Sequence, residues 1–491
     1  ASTGGDLVLQ AGGTLTINGG SAGTGMDATG NVQLKTTNSG NIALAAGLTS
    51  AGNVSLDATG SITQTANGDI TLSGNGKTLD LLATGDITMA NGAADETQGA
   101  VSLQATGNIT LGALTTTGNV QIKTTGGGSN IAVTGALTSG TGYVKLNATG
   151  NITQDANGDI TQNASGDTSL SDADNVLDLQ AAGNITMADG AVNQAAKSVR
   201  MSADGNIVVG TVTVNTTTGK VQLFATNGSI SDAENSTATP VNNVTANALE
   251  MRAATGIGST LNPLELQINT INANGGSGSV QFVDPDSVKI ERPAPINGEP
   301  VVFNDTVKVV STQLDLTEPL VGDKDIQIQT PLQQPSNIDD PDLYAIVVGH
   351  NAGTPSKRIE IASQEVEKLQ FETIALGNPN QQYQKVYLKT DTNNASDTLV
   401  FSSQVVVNTQ YDGRAYLSGR ILGSGLVING SGHTTYVSQA DVFQNESLTI
   451  EATGSPDKLE ALLERLEDSE LDDYTDIITL IGIEFDENTA W

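Results

Sequence analysis

The sequence predicts an all-β chain wound as a parallel β-helix, a β-solenoid, and three observations carry that expectation. Short segments alternate apolar and polar residues, as in Val54-Ser55-Leu56-Asp57-Ala58, which is the period-two signature of strands with one buried face. Variants of one unit recur: Asn53 through Gln64 returns as Val101 through Leu111 and again as Val144 through Gln154. Gly-Asn, Gly-Asp and Asn-Gly pairs punctuate these runs, and Gly and Asn supply the left-handed backbone that a tight corner needs. A unit of about a dozen residues cannot bury its apolar face alone and must stack on its neighbours.

Each element of this reading has its own support. Equivalent Val or Leu positions fall at 32, 54, 79, 101, 120 and 144, a spacing of 19 to 25 residues that suits one turn of three short strands and three corners. Blocks are duplicated on top of that period. Asn31-Val32-Gln33-Leu34-Lys35 returns 88 residues later at Asn119, and Leu79 through Ala90 returns 98 residues later at Leu177. Asn31, Asn53, Asn108, Asn151 and Asn184 sit beside the corners and are positioned to stack as ladders. An antiparallel β-sandwich of hairpins would also alternate and turn, but the even spacing and the block duplication favour the helix.

Composition agrees with a long, thin core. The 491 residues include 55 Gly, with aromatics at only 3% and charged residues at 15%, so small aliphatics must fill the interior. The charge of −33 argues against nucleic acid or an anionic membrane surface as partner. With no Cys, disulfides, zinc thiolates and cysteine catalysis are all excluded. No run of about 18 apolar residues occurs, so insertion into a membrane is not expected. The chain starts at Ala1 without Met or a basic leader, as expected of a processed or excised piece.

Four regions follow from composition shifts. Residues 1–283 are the Gly/Asn-rich repeat. All 13 prolines lie at Pro240 or later, as do 14 of the 16 aromatics, and residues 284–345 carry eight prolines, predicting irregular or decorated coils. Alternation returns over 346–453 with larger residues, as further coils or a separate β-sandwich. Over 454–491, Ser455-Pro456 precedes Leu459, Leu462, Leu463 and Leu466, the pattern of an amphipathic helix. The apolar run Ile477 through Phe485 then reads as a strand, and helix and strand together form a C-terminal cap or docking element.

The Ala-Thr-Gly-Asn-Ile-Thr units, and more specifically Ala253-Ala254-Thr255-Gly256-Ile257-Gly258-Ser259 with Asn262-Pro263-Leu264 and Gly278-Ser279-Val280, resemble the filamentous haemagglutinin-like exoproteins of Gram-negative bacteria, which include two-partner-secreted adhesins. The resemblance covers residues 5–283 well and 380–453 loosely. It implies a right-handed parallel β-helix, secretion to the cell surface, and adhesive or scaffolding roles. The family's N-terminal secretion domain, with its Asn-Pro-Asn-type motifs, is missing from this sequence.

Candidate chemistry is sparse. Parallel β-helices also host enzymes on acidic polysaccharides, but His350 and His433 are the only histidines, and neither completes a catalytic set; turn or surface roles are expected. The acidic clusters around Asp155, Asp159, Asp172 and Asp174 are weak Ca²⁺ candidates, because the calcium-binding nonapeptide and the twelve-residue calcium loop are absent. No other cofactor is expected. The many Asn-x-Ser/Thr sequons fall out of the repeat.

The functional expectation is therefore a non-enzymatic, secreted structural protein, an adhesin shaft or fibre subunit at a bacterial cell surface or in a biofilm matrix. A polysaccharide lyase or hydrolase is the alternative. Expected partners are further copies of the chain, end to end, and host-surface, neighbouring-cell or matrix polysaccharide. The assembly residues are Leu7, Leu9, Leu15 and Ile17 in the first coil, and Ile477, Ile478, Leu480, Ile481, Ile483 and Phe485 in the last strand. Tyr383, Tyr387, Tyr411 and Tyr416 offer lateral contact area.

Overall fold

The structure is a computed structural model. It describes residues 2–19, 25–90, 92–163, 177–233, 241–290, 302–303, 305–316, 319–330, 345–349, 359–361, 363–378, 385–389, 398–409, 414–418, 420–422, 425–431, 436–437, 448–453 and 478–481. Among these the chain is all-β with parallel strands and almost no helix; the one α-helix, Ser363–Val366, has four residues. No described helix is long and apolar enough to cross a membrane. The helix expected after Pro456 lies outside the described residues. The chain divides into two compact units, Ala1–Glu265 and Leu266–Trp491.

In the first unit every third strand pairs in parallel. Strands Leu7–Ala11, Val32–Thr36, Val54–Ala58, Leu79–Ala83 and Val101–Ala105 form one column. It continues through β1 (Val120–Thr124), β2 (Val144–Ala148), β3 (Leu177–Ala181), β4 (Ser198–Ala203), β5 (Lys220–Ala225) and β6 (Val244–Ala253). A second column of ten strands runs from Leu15–Ile17 to Ile230–Asp232, and a third links Met26–Ala28, Leu48–Ser50, Ile70–Leu72 and their successors. Register is kept residue for residue: Val54 stands beside Val32 and Leu79, and Leu56 beside Leu34 and Leu81.

That register explains the repeat. Period-two alternation turns Val54, Leu56 and Ala58 inward, where all three are buried, and like stands beside like from strand to strand. At about 25 cal/mol per Å² of buried apolar surface, the same small gain repeats at every strand of the column. The corners are held by an asparagine ladder. Asn108 Oδ1 accepts the backbone N–H of Asn130 at 2.8 Å, Asn130 Oδ1 that of Asn151 at 2.7 Å, Asn151 Oδ1 that of Asn184 at 2.7 Å, and Asn184 Oδ1 that of Asn206 at 2.7 Å. Glycine is required beside it. A Cβ on Gly205 would collide with Asn184 Oδ1, so the recurring Gly-Asn corner is a packing solution.

In the second unit, Val280–Ile290 pairs in parallel with Val307–Leu316, and the register shifts between Asp284 and Ser287. Pro285 sits at that shift, as expected of a residue with no N–H to give the ladder. The column goes on through Asp325–Gln329, Thr373–Leu376, Gln404–Asn408, Gly425–Ser431, Leu448–Thr453 and Ile478–Ile481. The larger side chains read in this half do pack inside it: Phe303 stacks on Phe371 with ring centroids 6.2 Å apart.

Candidate functional site

The outward face of β1 to β6 carries long polar and charged side chains. Residues that alternate with the buried Val and Leu line up in two rows across the strands. One row is Gln121, Lys145, Asp178, Arg200, Gln222 and Glu250; the other is Lys123, Asn147, Gln180, Ser202, Phe224 and Arg252. Neighbours in a row are one strand spacing apart, roughly 4.8 Å. With Lys220 at the start of β5, five basic side chains meet two carboxylates here, in a protein with 21 basic and 54 acidic residues. A cavity of about 250 Å³ opens on β1 to β4, lined among others by Lys123, Lys145, Asp178, Gln180 and Arg200.

The two carboxylates are held differently. Glu250 is saturated: Gln222 Nε2 donates to its Oε2 at 2.9 Å, Lys220 Nζ lies 3.2 Å from the same oxygen, and Arg252 Nη2 donates to Oε1 at 2.8 Å. Burial pushes the Glu250 carboxyl up, but these hydrogen bonds and the Lys220 and Arg252 charges together hold it below its usual range. Asp178 is only 6% exposed. Gln180 Nε2 donates to its Oδ2 at 2.8 Å, while Oδ1 meets no hydrogen-bond partner among the described residues. Burial raises the Asp178 carboxyl above its usual range, a shift the Arg200 charge, the Gln180 hydrogen bond and the Lys145 charge only partly offset.

Arg200 stands next to Asp178 in the register. Its guanidinium lies 5.7 Å from the Phe224 ring centroid, and that of Arg252 lies 5.6 Å from the same ring, so Phe224 is set between two cations. Arg200 Nε is buried and has no hydrogen-bond partner among the described residues. Among the described residues, two that line the cavity on adjacent strands thus carry unmet groups: Asp178 a buried acceptor without a donor, and Arg200 a buried donor without an acceptor.

The residues singled out from sequence fall elsewhere. Asp155 is an exposed turn residue whose Oδ1 accepts the Asn157 N–H at 3.1 Å, and Asp159 Oδ1 accepts the Val192 N–H at 2.9 Å. Both carboxylates serve backbone donors. Asp172, Asp174, His350 and His433 lie outside the described residues. No group of three or more His, Cys, Asp or Glu suited to a metal ion occurs among the described residues. Leu7, Leu9 and Leu15 are half-buried and Ile17 is buried, whereas their neighbours one turn on, Val32, Leu34, Ile42 and Leu44, are all buried. Ile478, Leu480 and Ile481 stand in the last strand opposite Leu448, Ile450 and Glu451; Ile477, Ile483 and Phe485 lie outside the described residues. Tyr387 and Tyr416 are register partners, and Tyr383 and Tyr411 lie outside.

Sequence reasoning did not find the Asp178 and Arg200 face. The signal was present in the outward positions of the repeat once its strands are aligned: Gln121 and Asp178 repeat Gln33 and Asp80 of the earlier blocks, whereas Lys145 and Arg200 bring basic residues into the same row. No sequence motif joins them, because they are 22 to 33 residues apart.

Fold and face together define an all-β protein of stacked parallel strands with a mixed-charge cavity on one outer sheet. Compared with known families, residues 440–491 match the YcaO cyclodehydratase C-terminal domain. No curated protein and no solved structure matches the chain. The family match overturns the expectations attached to the resemblance. It is to a cyclodehydratase domain and not to a filamentous haemagglutinin-like or two-partner-secreted family. The adhesin shaft or fibre subunit, the polysaccharide lyase or hydrolase alternative, the absence of enzymatic function, and the secreted, cell-surface location on a Gram-negative bacterium fall with it. The physical reason lies in the repeat: buried aliphatics and Gly-Asn corners are what stacked parallel strands demand, so the Ala-Thr-Gly-Asn-Ile-Thr unit reports geometry and not function.

Proposed function

We propose that the chain serves ATP-dependent cyclodehydration of peptides, with its parallel-strand coils as a scaffold and residues 440–491 as the part that acts in the cyclodehydratase. The match of those residues to the YcaO cyclodehydratase C-terminal domain carries this reading. Within the matched segment, Leu448–Thr453 and Ile478–Ile481 pair in parallel and in register, and Leu448–Thr453 pairs in the same way with Gly425–Ser431. The segment is thereby joined to the coils of its own unit by ordinary sheet hydrogen bonds. We read the strands as a right-handed parallel β-helix of three strands per turn. Pairing of every third strand supports the helix, and the strong preference for right-handed crossovers between parallel strands supports the hand.

The test is loss of one water per ring from a Cys-, Ser- or Thr-containing peptide, followed by intact mass. The peptide is incubated with ATP and a YcaO cyclodehydratase, with the full chain or with the chain lacking residues 440–491. The expected result is ATP-dependent water loss that the full chain promotes and the shortened chain does not. Equal water loss with both chains would overturn the reading.

A further inference from the structure

We propose that the cavity on β1 to β4 binds a small zwitterion of the α-amino-acid class, its ammonium on Asp178 Oδ1 and its carboxylate on Arg200 Nε. The inference goes beyond the cyclodehydratase reading and does not rest on it, because no residue of the cavity lies in the segment 440–491.

Four observations meet at this ligand. Asp178, 6% exposed, has one oxygen engaged by Gln180 and the other without a donor among the described residues; a buried acceptor left so is costly, and an ammonium satisfies it. Arg200 offers a buried Nε–H with no acceptor among the described residues, and the Phe224 ring beneath its guanidinium limits how it can turn. The two residues are register partners on adjacent strands, so the two unmet groups are neighbours, as the ammonium and carboxylate on a single carbon are. Finally, the cavity of about 250 Å³ is below the roughly 300–1,000 Å³ of pockets for drug-sized ligands. A nucleotide or a long peptide would overfill it.

Charge narrows the class further. Lys123, Lys145 and Arg200 line the cavity with Asp178 as the one carboxylate among the lining residues, so a plain cation meets three positive groups. A plain anion leaves Asp178 unmet and beside it. A molecule carrying both charges fits both sides, and the side-chain amides of Gln121, Asn147 and Gln180 at the cavity suit its remaining polar atoms.

The full-length chain should be titrated calorimetrically with L-alanine, L-serine and L-glutamate, and with N-acetyl-alanine, alaninamide and alanyl-alanine. The expected result is binding of at least one free amino acid. Within the alanine series, removing the ammonium, removing the carboxylate, or separating the two in the dipeptide should each cost about tenfold or more, as for loss of one partner from a buried charge pair. Asp178→Asn should erase the preference for the free over the acetylated amine, and Arg200→Gln the preference for the carboxylate over the amide. Equal binding of N-acetyl-alanine makes the cavity an anion site, equal binding of alaninamide makes it a cation site, tighter binding of alanyl-alanine makes it a peptide site, and no binding of any probe leaves it without this function. Each of these outcomes overturns the proposal. The ligand series reads the unaltered chain, so it decides even where a variant fails to fold.

Discussion

Asp95 and Asn193 occupy the same place in the duplicated blocks, each facing a buried glutamine from four strands earlier in the chain. Gln154 and Asn193 exchange two hydrogen bonds, Gln154 Nε2 to Asn193 Oδ1 at 2.9 Å and Asn193 Nδ2 to Gln154 Oε1 at 3.0 Å. Gln64 Nε2 donates to Asp95 Oδ1 at 2.6 Å, and the Ile70 N–H reaches the same oxygen at 2.7 Å, but Gln64 Oε1 has no partner among the described residues. An ionised aspartate has no proton to return. Burial pushes the Asp95 carboxyl up to about 7, against the lowering effect of the Ile70 and Gln64 hydrogen bonds.

Stability should therefore fall as pH rises. The unfolded carboxyl titrates near 3.8 and the folded one near 7. Below 3.8 both states hold the proton and nothing is lost. Between the two values the folded state keeps a proton that the unfolded state releases, so stability drops as pH climbs, and above about 7 the full penalty is present. Thermal melts at pH 5 and pH 8 should show this loss. Asp95→Asn, which copies the Asn193 arrangement, should flatten the dependence and stabilise the chain at pH 8 by on the order of 1–3 kcal/mol. An unchanged pH profile in the variant would refute the account.

The asparagine ladder makes a second prediction. Asn151→Ala leaves the Asn184 N–H without the acceptor now at 2.7 Å and should cost about 1 kcal/mol in denaturant unfolding. Asn157→Ala, at an exposed turn position where the asparagine gives only its backbone N–H to Asp155, should change stability by less than about 0.5 kcal/mol.

Core and face substitutions on one strand should separate cleanly. Ile122 in β1 is fully buried and its neighbour Gln121 is exposed. Ile122→Ala is expected to destabilise by about 2–5 kcal/mol, whereas Gln121→Ala should leave unfolding near that of the parent, as read by chemical denaturation of the two variants side by side.

Binding at the cavity should weaken in acid earlier than an ordinary aspartate would dictate. Asp178 must be ionised to hold an ammonium, and its carboxyl lies above the usual range because burial outweighs Arg200, Gln180 and Lys145. Alanine affinity measured from pH 8 downward should fall before the normal aspartate range is reached, and in Asp178→Asn it should show no such fall.

Most of the strand pattern was legible, because it is local. Val54, Leu56 and Ile62 announce buried faces by alternation, and the corner asparagines announce ladders, which fall in two corners: Asn31 and Asn53 in one, Asn108, Asn151 and Asn184 in the other. The larger side chains after residue 239, such as Phe303 and Phe371, marked a change of interior. What misled was treating the repeat as a signature of function, since stacked parallel strands select the same small residues whatever the protein does.

The amino-acid sequence by itself determined the strands, their inward faces and the spacing at which they return, since alternation and turn chemistry act over a few residues. Only the tertiary structure decided that Asp178 would stand beside Arg200 with Phe224 beneath its guanidinium, and that Asp95 would face Gln64 in the interior. Those pairs are 22 or more residues apart, and their meeting depends on register between strands, which the summed packing of many strands sets.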